Sequence, residues 1–158
     1  MSARTGLGYD SHRLAAGRPL ILGGVELESE RGLDGHSDAD ALTHAVIDAV
    51  LGAAGLGDIG MHFPDSDDRW RDADSIDLLR SAVAAARGAG YAVVNVDATV
   101  VMEAPRLGPA RERMRARLAE ALGLDPGAVN VKATTGEGIG FVGRGEGVAA
   151  LAIATLDG

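Results

Sequence analysis

The chain has 158 residues, 46% of them apolar, so one domain over residues 1–158 is expected, with a single hydrophobic core. Because cysteine is absent, disulfides, cysteine nucleophiles and thiolate metal sites are excluded. The formal net charge of −8 and the lack of an apolar run of about 20 residues argue against nucleic-acid and membrane partners. Residues 1–9 lack the apolar stretch of a signal peptide, which favours a cytoplasmic location.

The first half of the sequence predicts a hairpin followed by a helix. Residues 20–27 read as two short strands around Gly23 and Gly24, since paired glycines accept the backbone angles of a tight turn. Residues 4–10 are expected to be extended, and residues 32–37 extended or looped. Apolar residues then recur at helical spacing from Leu42 to Ala53, with Ser37 or Asp38 as the expected N-cap.

The second half alternates predicted helices with predicted strands. Helices are expected at residues 74–87 and 109–123, each closed by glycine, and strands at 91–102, 129–134 and 148–156, which are rich in β-branched residues. The order strand, helix, strand favours a sheet with helices packed on one face. The sequence therefore predicts an α+β fold with one mixed β-sheet backed by helices.

Two segments place acids and histidines where they are expected to converge. Asp10 and His12 are two residues apart at the expected end of the first strand, so their side chains point to one side. On the first helix, Asp40, His44 and Asp48 form a polar line along an otherwise apolar surface. One interpretation is a metal site with two histidines, a carboxylate and an open coordination position. The other is a hydrogen-bonded core histidine beside a turn-capping acid, and the pattern alone does not decide between them.

The glycine-rich segment at residues 136–147 contains the spacing of a dinucleotide-binding fingerprint at Gly138, Gly140 and Gly143. That fingerprint opens a helix and is followed by an acidic residue about 20 positions later. Here a strand is expected from residue 148, so dinucleotide binding is rejected. Two interpretations remain: a flexible loop that binds a diphosphate through N–H groups, Glu137 and Arg144, or a surface turn between strands.

Taken together, these motifs resemble the 2-C-methyl-D-erythritol 2,4-cyclodiphosphate synthase family along the whole chain. The segments that carry the resemblance are residues 8–13 (GYDSHR), 35–40 (GHSDAD) with His44, 57–60 (GDIG) with 62–65 (HFPD), and 132–135 (KATT) followed by 140–141 (GF) and 143–147 (GRGEG). Four motifs in the family's order make the match specific.

The resemblance implies a function for individual residues. Asp10, His12 and His44 are expected to bind zinc, Glu137 to help hold magnesium or manganese, and His36 and Thr135 to stabilise the transition state. The resemblance further implies substrate contacts at Asp10, His12, His36, Ser37, Asp58, Gly60, Asp65, Met102, Ala104, Pro105, Arg106, Leu107, Thr134, Thr135, Glu137, Phe141 and Arg144. The stretch from Met102 to Gly108, with Thr134 and Thr135, corresponds to a cytidine pocket.

The implied reaction is an intramolecular phosphoryl transfer that closes a cyclic diphosphate and releases CMP. The family is homotrimeric, with sheets packed around the three-fold axis and active sites between subunits. This chain departs from the family pattern at Gly136 and Gly138, often Thr and Lys, which predicts a looser loop. Two rival functions are a zinc phosphohydrolase and a metabolite-binding trimer without catalytic activity.

Overall fold

The computed structural model describes residues 2–158 as helices and strands joined by short loops. The strands are Ala3–Ala16 (β1), Leu20–Leu22 (β2), Val25–Leu27 (β3), Arg31–Leu33 (β4), Ala92–Val101 (β5), Val129–Thr134 (β6) and Gly147–Asp157 (β7). The α-helices are Ala41–Ala53 (α1), Ile59–His62 (α2), Ser75–Gly88 (α3), Ala110–Leu122 (α4) and Gly140–Gly143 (α5), and 3₁₀ turns cover Asp68–Trp70 and Pro126–Ala128. Across residues 2–158, none of the helices combines the length and the apolar character that crossing a membrane requires.

Five strands form one mixed sheet in the order β4-β1-β7-β5-β6, and β2 and β3 form a separate hairpin. β5 and β6 are parallel because α4 carries the chain back between them, whereas the other neighbouring strands are antiparallel. β1 pairs with β7 along Ala3 to Arg13 and then with β4 along Leu14 to Ala16. The segment of β1 that contains Asp10 and His12 therefore lies inside a long strand.

Helix α1 lies directly against β1 because two glycines leave room for it. A Cβ atom at Gly6 would lie 2.0 Å from the carbonyl oxygen of Ala49, and one at Gly8 would lie 1.8 Å from that of Ala45. Such distances exclude any side chain, so only glycine permits this approach. Helix α3 packs against α1, and α4 packs against α3 and β6, so that the three helices share one core with the sheet.

The other face of the sheet is apolar at its centre and is exposed in the single chain. Leu7 lies opposite Ile153 and Tyr9 lies opposite Leu151, so the four side chains share one face. Their exposed fractions are 67% for Leu7, 47% for Ile153, 53% for Tyr9 and 39% for Leu151. A cluster of large exposed apolar side chains is typical of a surface that another protein molecule covers.

The expected α+β domain with one mixed sheet and helices on one face is confirmed. The hairpin at 20–27 is present, and β6 begins and ends at the predicted residues, Val129 and Thr134. The two longer predicted helices of the second half agree within one residue at each end, with Asp74 as the N-cap of α3 and Gly123 after α4 in the left-handed conformation. The glycines of the hairpin, Gly23 and Gly24, and Gly123 after α4 are therefore used as expected.

Two predicted boundaries are wrong. β1 continues past Asp10 to Ala16, because β7 and then β4 supply backbone partners that the local sequence does not reveal. The N-cap of α1 is Asp40 rather than Ser37 or Asp38: its carboxylate accepts hydrogen bonds from the N–H and hydroxyl of Thr43. Ala39, with φ of 57°, makes the turn that separates Ser37 from the helix.

The glycine-rich segment is more ordered than the sequence suggests. Residues 140–143 form the helical turn α5, and the N–H of Ile139 donates to the carbonyl of Gly136 at 2.9 Å. β7 follows at Gly147, which agrees with the rejection of a dinucleotide fold. The segment is therefore a short helical connection between β6 and β7 rather than a loose loop.

Candidate metal centre and substrate cavity

Asp10, His12 and His44 meet on the face of the sheet that carries α1. Asp10 and His12 point to this face because they are two residues apart in β1, in register with the glycines beneath α1. His44 lies in the first turn of α1, next to the point of close approach. The predicted convergence of a strand acid, a strand imidazole and a helix imidazole is present, with ligand atoms all within 4.8 Å of one another.

The same carboxylate oxygen of Asp10 faces both imidazoles. Asp10 Oδ2 lies 3.0 Å from His12 Nδ1 and 3.1 Å from His44 Nδ1. The contact with His44 has hydrogen-bond geometry, whereas His12 Nδ1 is buried without a hydrogen-bond partner. Two ring nitrogens therefore face one carboxylate oxygen, and one of them has no hydrogen bond. This arrangement is expected of groups that share a cation.

The charges in the cluster stabilise one another. Burial raises the pKa of Asp10, but the neighbouring imidazoles of His12 and His44 outweigh it and hold that pKa below its ordinary value of 3.8. Burial lowers the pKa of His44, but Asp10, with smaller contributions from Asp40 and Asp38, raises it above its ordinary value of 6.5. The pair of His44 and Asp10 therefore favours a positively charged imidazole beside an ionised carboxylate.

The donor set fits a divalent transition metal. Two imidazoles and one carboxylate, without any thiolate, form a three-ligand set that leaves a position for water or substrate. The second nitrogen of His44, Nε2, lies 2.7 Å from the Ser75 hydroxyl, which matches the outer hydrogen bond that orients most metal-bound histidines. The buried, unpartnered His12 Nδ1 provides a second reason to infer a cation here.

The cluster opens into a cavity of about 480 Å³. The cavity is lined by Asp10, His12, Gly35, His36, Ser37, His44, Ile59, Gly60, Phe63, Pro64, Asp65, Trp70 and Leu78. Phe63 and Trp70 pack edge to face at 5.0 Å, so the lining combines an aromatic pair with the polar groups of the cluster and Asp65. Such a mixed lining suits a phosphate ester with a short carbon skeleton.

The loop that carries His36 and Ser37 is held from two sides. Arg18 donates to the carbonyl oxygens of Leu33, Gly35 and Ser37 at 3.2–3.3 Å. On the other side, His36 Nδ1 lies 3.1 Å from the carbonyl oxygen of Asp65, and the His36 carbonyl accepts from the N–H of Asp72 at 2.9 Å. The loop is therefore positioned by its backbone and by the His36 ring, whose other nitrogen, Nε2, has no hydrogen-bond partner.

A second cavity, of about 470 Å³, lies at the carboxyl ends of β5 and β6. Its lining is Met102, Glu103, Pro105, Arg106, Leu107, Gly108, Arg111, Ala133, Thr134 and Thr135. The two strands are parallel, so their ends meet at the same edge of the sheet and bring these two loops together. The two cavities have no lining residue in common, so the chain contains two separate binding surfaces.

Comparison with known proteins identifies the family. The family model described as "YgbB family" matches residues 3–157. The chain belongs to the YgbB family. Together with the synthases described next, this match confirms the resemblance inferred from the motifs.

Several relatives match over nearly the whole of this family member. A 2-C-methyl-D-erythritol 2,4-cyclodiphosphate synthase from Salinibacter ruber is 62% identical over 97% of this chain and 98% of that protein. The bifunctional enzyme IspD/IspF from Anaeromyxobacter sp. strain Fw109-5 is 61% identical over 96% of this chain, which spans only 39% of that longer protein.

Solved structures agree with the YgbB fold. The bifunctional IspDF from Campylobacter jejuni matches with a TM-score of 0.94 and 43% identity over 98% of this chain and 42% of that chain. A 2C-methyl-D-erythritol-2,4-cyclodiphosphate synthase in a CDP-bound form matches with a TM-score of 0.89 and 39% identity, covering 98% of this chain and 100% of that chain.

Within this YgbB family member, most of the predicted site residues fall into two groups. The metal cavity contains Asp10, His12, His36, Ser37, His44, Gly60 and Asp65. The second cavity contains Met102, Pro105, Arg106, Leu107, Thr134 and Thr135. The sequence prediction therefore selects residues from two places that the single chain keeps apart.

The remaining predicted residues lie elsewhere in the single chain. Phe141 lines a cleft with Ser11, His12, Arg13, Glu146 and Gly147. Asp58 caps α2 through the N–H of Met61, and Arg144 forms an ion pair with Glu146. Ala104 precedes Pro105 at the edge of the second cavity, and Glu137 is exposed with φ of 54°. Glu137 lines neither of the two cavities.

Sequence reasoning missed several residues that position the site. Ser75 contacts His44, Asp48 accepts the N–H of Ile59 at 2.7 Å, and Glu103 accepts the N–H of Gly136. Ser75 lies 31 residues from His44, so no local spacing connects them. Asp48 was assigned to a polar line with Asp40 and His44, but the three side chains have different partners.

Proposed function

We propose that the chain is a phosphorus–oxygen lyase that converts 4-diphosphocytidyl-2-C-methyl-D-erythritol 2-phosphate to 2-C-methyl-D-erythritol 2,4-cyclodiphosphate and CMP. This is a step of the non-mevalonate isoprenoid pathway. An oxygen of the 2-phosphate attacks the β-phosphorus, a new phosphorus–oxygen bond forms, and the bond from that phosphorus to CMP breaks. No protein nucleophile is required, because both reacting phosphates belong to one substrate molecule.

One observation carries this proposal: the Asp10, His12 and His44 cluster opens into a cavity that also holds His36, Ser37 and Asp65. The resemblance to the family implies zinc at Asp10, His12 and His44, a substrate contact at His36 and Ser37, and the methylerythritol part of the substrate near Asp65. Full-length relatives named as this synthase, including that of Salinibacter ruber, support the same reaction.

We infer that Asp10, His12 and His44 hold zinc, and that Glu137 helps hold magnesium or manganese against the diphosphate. When bound, these ions supply Lewis acids that stabilise charge on the phosphate oxygens. The protein residues align the two phosphates, and alignment alone contributes a large share of catalysis in such intramolecular steps. His36 and Thr135 donate to oxygens that gain charge in the transition state.

We infer that the nucleotide part of the substrate occupies the second cavity. Its walls combine the apolar side chains of Met102 and Leu107 with the cation Arg106 and the hydroxyls of Thr134 and Thr135. Such a surface offers packing for a pyrimidine ring and polar contacts for ribose and phosphate. The CDP-bound form of a relative with 39% identity supports a cytidine nucleotide as the occupant.

We also infer that three chains assemble with their sheets around a three-fold axis. The exposed apolar cluster of Leu7, Tyr9, Leu151 and Ile153 supports this arrangement, because it lies on the uncovered face of the sheet. Assembly would also explain the two separate cavities, since the metal cavity of one subunit can adjoin the nucleotide cavity of the next. The cytoplasmic location stays a prediction from the sequence.

The deciding experiment is an assay with the cytidyl substrate, zinc and magnesium. Formation of the cyclic diphosphate together with an equal amount of CMP is expected. Release of inorganic phosphate would instead identify a zinc phosphohydrolase with the same ligands. Binding of the substrate without turnover would identify a metabolite-binding protein and would contradict the proposed lyase activity.

A further inference from the structure

The inner side of the metal cluster contains a hydroxyl group that the motifs do not predict. Ser75, the first residue of α3, is completely buried, and its Oγ lies 2.7 Å from His44 Nε2. Ser75 Oγ in turn contacts Asp38 Oδ1. His44 thus lies between Asp10 on the cavity side and a buried hydroxyl and carboxylate on the other.

The direction of each hydrogen bond follows from what each group can do. An ionised carboxylate only accepts, so the Ser75 hydroxyl donates its single proton to Asp38. The Ser75 oxygen must then accept from His44, which places a proton on His44 Nε2. A metal-bound histidine is neutral and carries one ring proton, so with a cation bound the lone pair of His44 is at Nδ1, on the side of Asp10.

Asp38 is held firmly enough to maintain this direction. Its Oδ2 accepts from the backbone N–H of Ser75 at 2.9 Å, and its Oδ1 accepts from the N–H of Asp40 at 3.2 Å. Its own N–H donates to the carbonyl of Ala73 at 3.1 Å. The carboxylate therefore connects the loop before α1 with the start of α3, and its acceptor oxygens cannot rotate away.

Ser37 is the other hydroxyl near His44 Nε2, at 3.2 Å. Its oxygen already accepts from the N–H of Ala39 at 3.3 Å, and its side chain lines the substrate cavity. Ser75 is closer to the ring nitrogen and has a carboxylate behind it. The geometry favours Ser75 as the group that sets the position of the ring proton.

We propose that Ser75 is a positioning residue that, together with Asp38, holds His44 in the form protonated at Nε2, so that Nδ1 faces the shared cation. This inference rests on the proposed zinc site and adds the group that orients one of its ligands. Partners of this kind, outside the ligands themselves, commonly change metal affinity by about 10- to 100-fold. Ser75 is completely buried and does not line the cavity beside the cluster.

A measurement on the unmutated protein tests the tautomer directly. The zinc-loaded protein, labelled with ¹⁵N at histidine, is expected to show a slowly exchanging Nε2–H signal for His44 and a zinc-shifted Nδ1 resonance. Zinc at Nε2, with the proton at Nδ1, would overturn the proposal. Failure of the unmutated protein to bind zinc would overturn both the proposal and the zinc site on which it rests.

Three variants test the hydroxyl of Ser75. Ser75→Ala is expected to weaken zinc binding by about 10- to 100-fold in a chelator competition, and Ser75→Thr to restore it to within a few-fold. Ser81→Ala is the matched control, because it removes a hydroxyl from the same helix. The Ser81 hydroxyl donates only to the carbonyl of Asp77, at 3.3 Å. This control is expected to leave zinc affinity unchanged.

The outcomes separate a positioning role from a purely structural one. Ser75→Ala with unchanged zinc affinity, while the unmutated protein binds zinc, would contradict the role of Ser75 and leave the metal site intact. A loss that Ser75→Thr does not reverse would also contradict it. Loss of folding in Ser75→Ala, seen by circular dichroism, leaves the decision to the ¹⁵N measurement on the unmutated protein.

Discussion

The two cavities of this protein are built in different ways. In the metal cavity, Asp10, His12 and His44 belong to a central strand and a buried helix, and each has partners within the same chain. In the second cavity, Arg106 and Thr135 are exposed and lie in loops at the edge of the sheet. The first cavity takes its candidate ligands from regular elements, whereas the second takes Arg106 and Thr135 from exposed loops.

This difference indicates which part of the chemistry a single chain can provide. Buried groups on regular elements are positioned by the core and need no ligand to hold them. Exposed loop residues gain defined positions when a substrate or a neighbouring subunit covers them. Metal binding is therefore expected of the fold alone, and phosphoryl transfer of the assembled protein. The predictions below test this division.

The largest effect is expected from loss of a metal ligand. Replacing His12 or His44 by Ala should remove zinc and lower activity on the order of 10³-fold or more, because a Lewis-acid ion contributes several kcal/mol to transition-state stabilisation. Elemental analysis and the synthase assay measure the two effects. Full zinc occupancy in either variant would contradict the ligand assignment. His62→Ala, which alters a histidine bonded to the Leu56 carbonyl, is the control.

A smaller loss is expected from the transition-state residues. His36→Ala and Thr135→Ala should each lower kcat on the order of 10²-fold, with a lesser change in KM, because each removes one donor to the reacting phosphates. Steady-state kinetics measures both parameters, and zinc content should be unchanged. A rise in KM at constant kcat would instead assign these residues to ground-state binding.

Mixing two kinds of inactive chain tests whether each active site combines the metal cavity of one subunit with the second cavity of another. Trimers reassembled from equal amounts of His44→Ala and Thr135→Ala chains should recover about one quarter of the full activity, because that fraction of interfaces has both halves intact. Reassembled His12→Ala and His44→Ala chains damage the same half and should recover none. Equal recovery in both mixtures, or none in either, would refute shared sites.

The smallest expected effect concerns an ion pair between β5 and β6. Lys132 Nζ lies 2.7 Å from Asp97 Oδ2, and this hydrogen bond, with Asn130, lowers the pKa of Asp97. The ionised pair therefore stabilises the folded chain above the unfolded pKa of Asp97, and this contribution disappears as the pH falls through the lowered folded value.

Asp97→Asn should thus lower the free energy of unfolding by at most about 1 kcal/mol at neutral pH and have no effect in acid. Chemical unfolding at fixed protein concentration across pH measures the difference. In a Lys132→Met background the same substitution should have little effect. A difference that persists in acid would show that the pair is not its cause.

The sequence predicted most of the fold because its signals are local. β-branched runs mark the strands, and Asp74 and Gly123 mark helix ends. The extension of β1 to Ala16 was missed because its partner in β4 is recognised only in the folded sheet. The short helices α2 and α5 have too few residues for a periodic pattern.

For the site, the convergence of Asp10 and His12 follows from strand geometry, and His44 from helical spacing. Ser75, Asp48 and Glu103 could not be predicted in the same way. Each acts on a residue 11 to 33 positions away, across packed elements. Their contribution depends on tertiary packing, which the spacing of residues does not encode.

The glycines of β1 fix the distance between this strand and helix α1. The separation between β1 and α1 is set where Gly6 and Gly8 face the carbonyls of Ala49 and Ala45, and Ala45 is the residue directly after His44. Enlarging either glycine by one methyl group would lift the helix and widen the gap across which the imidazole reaches the strand. Two residues without side chains thus set the distance between the strand and the helix that carry the candidate metal ligands.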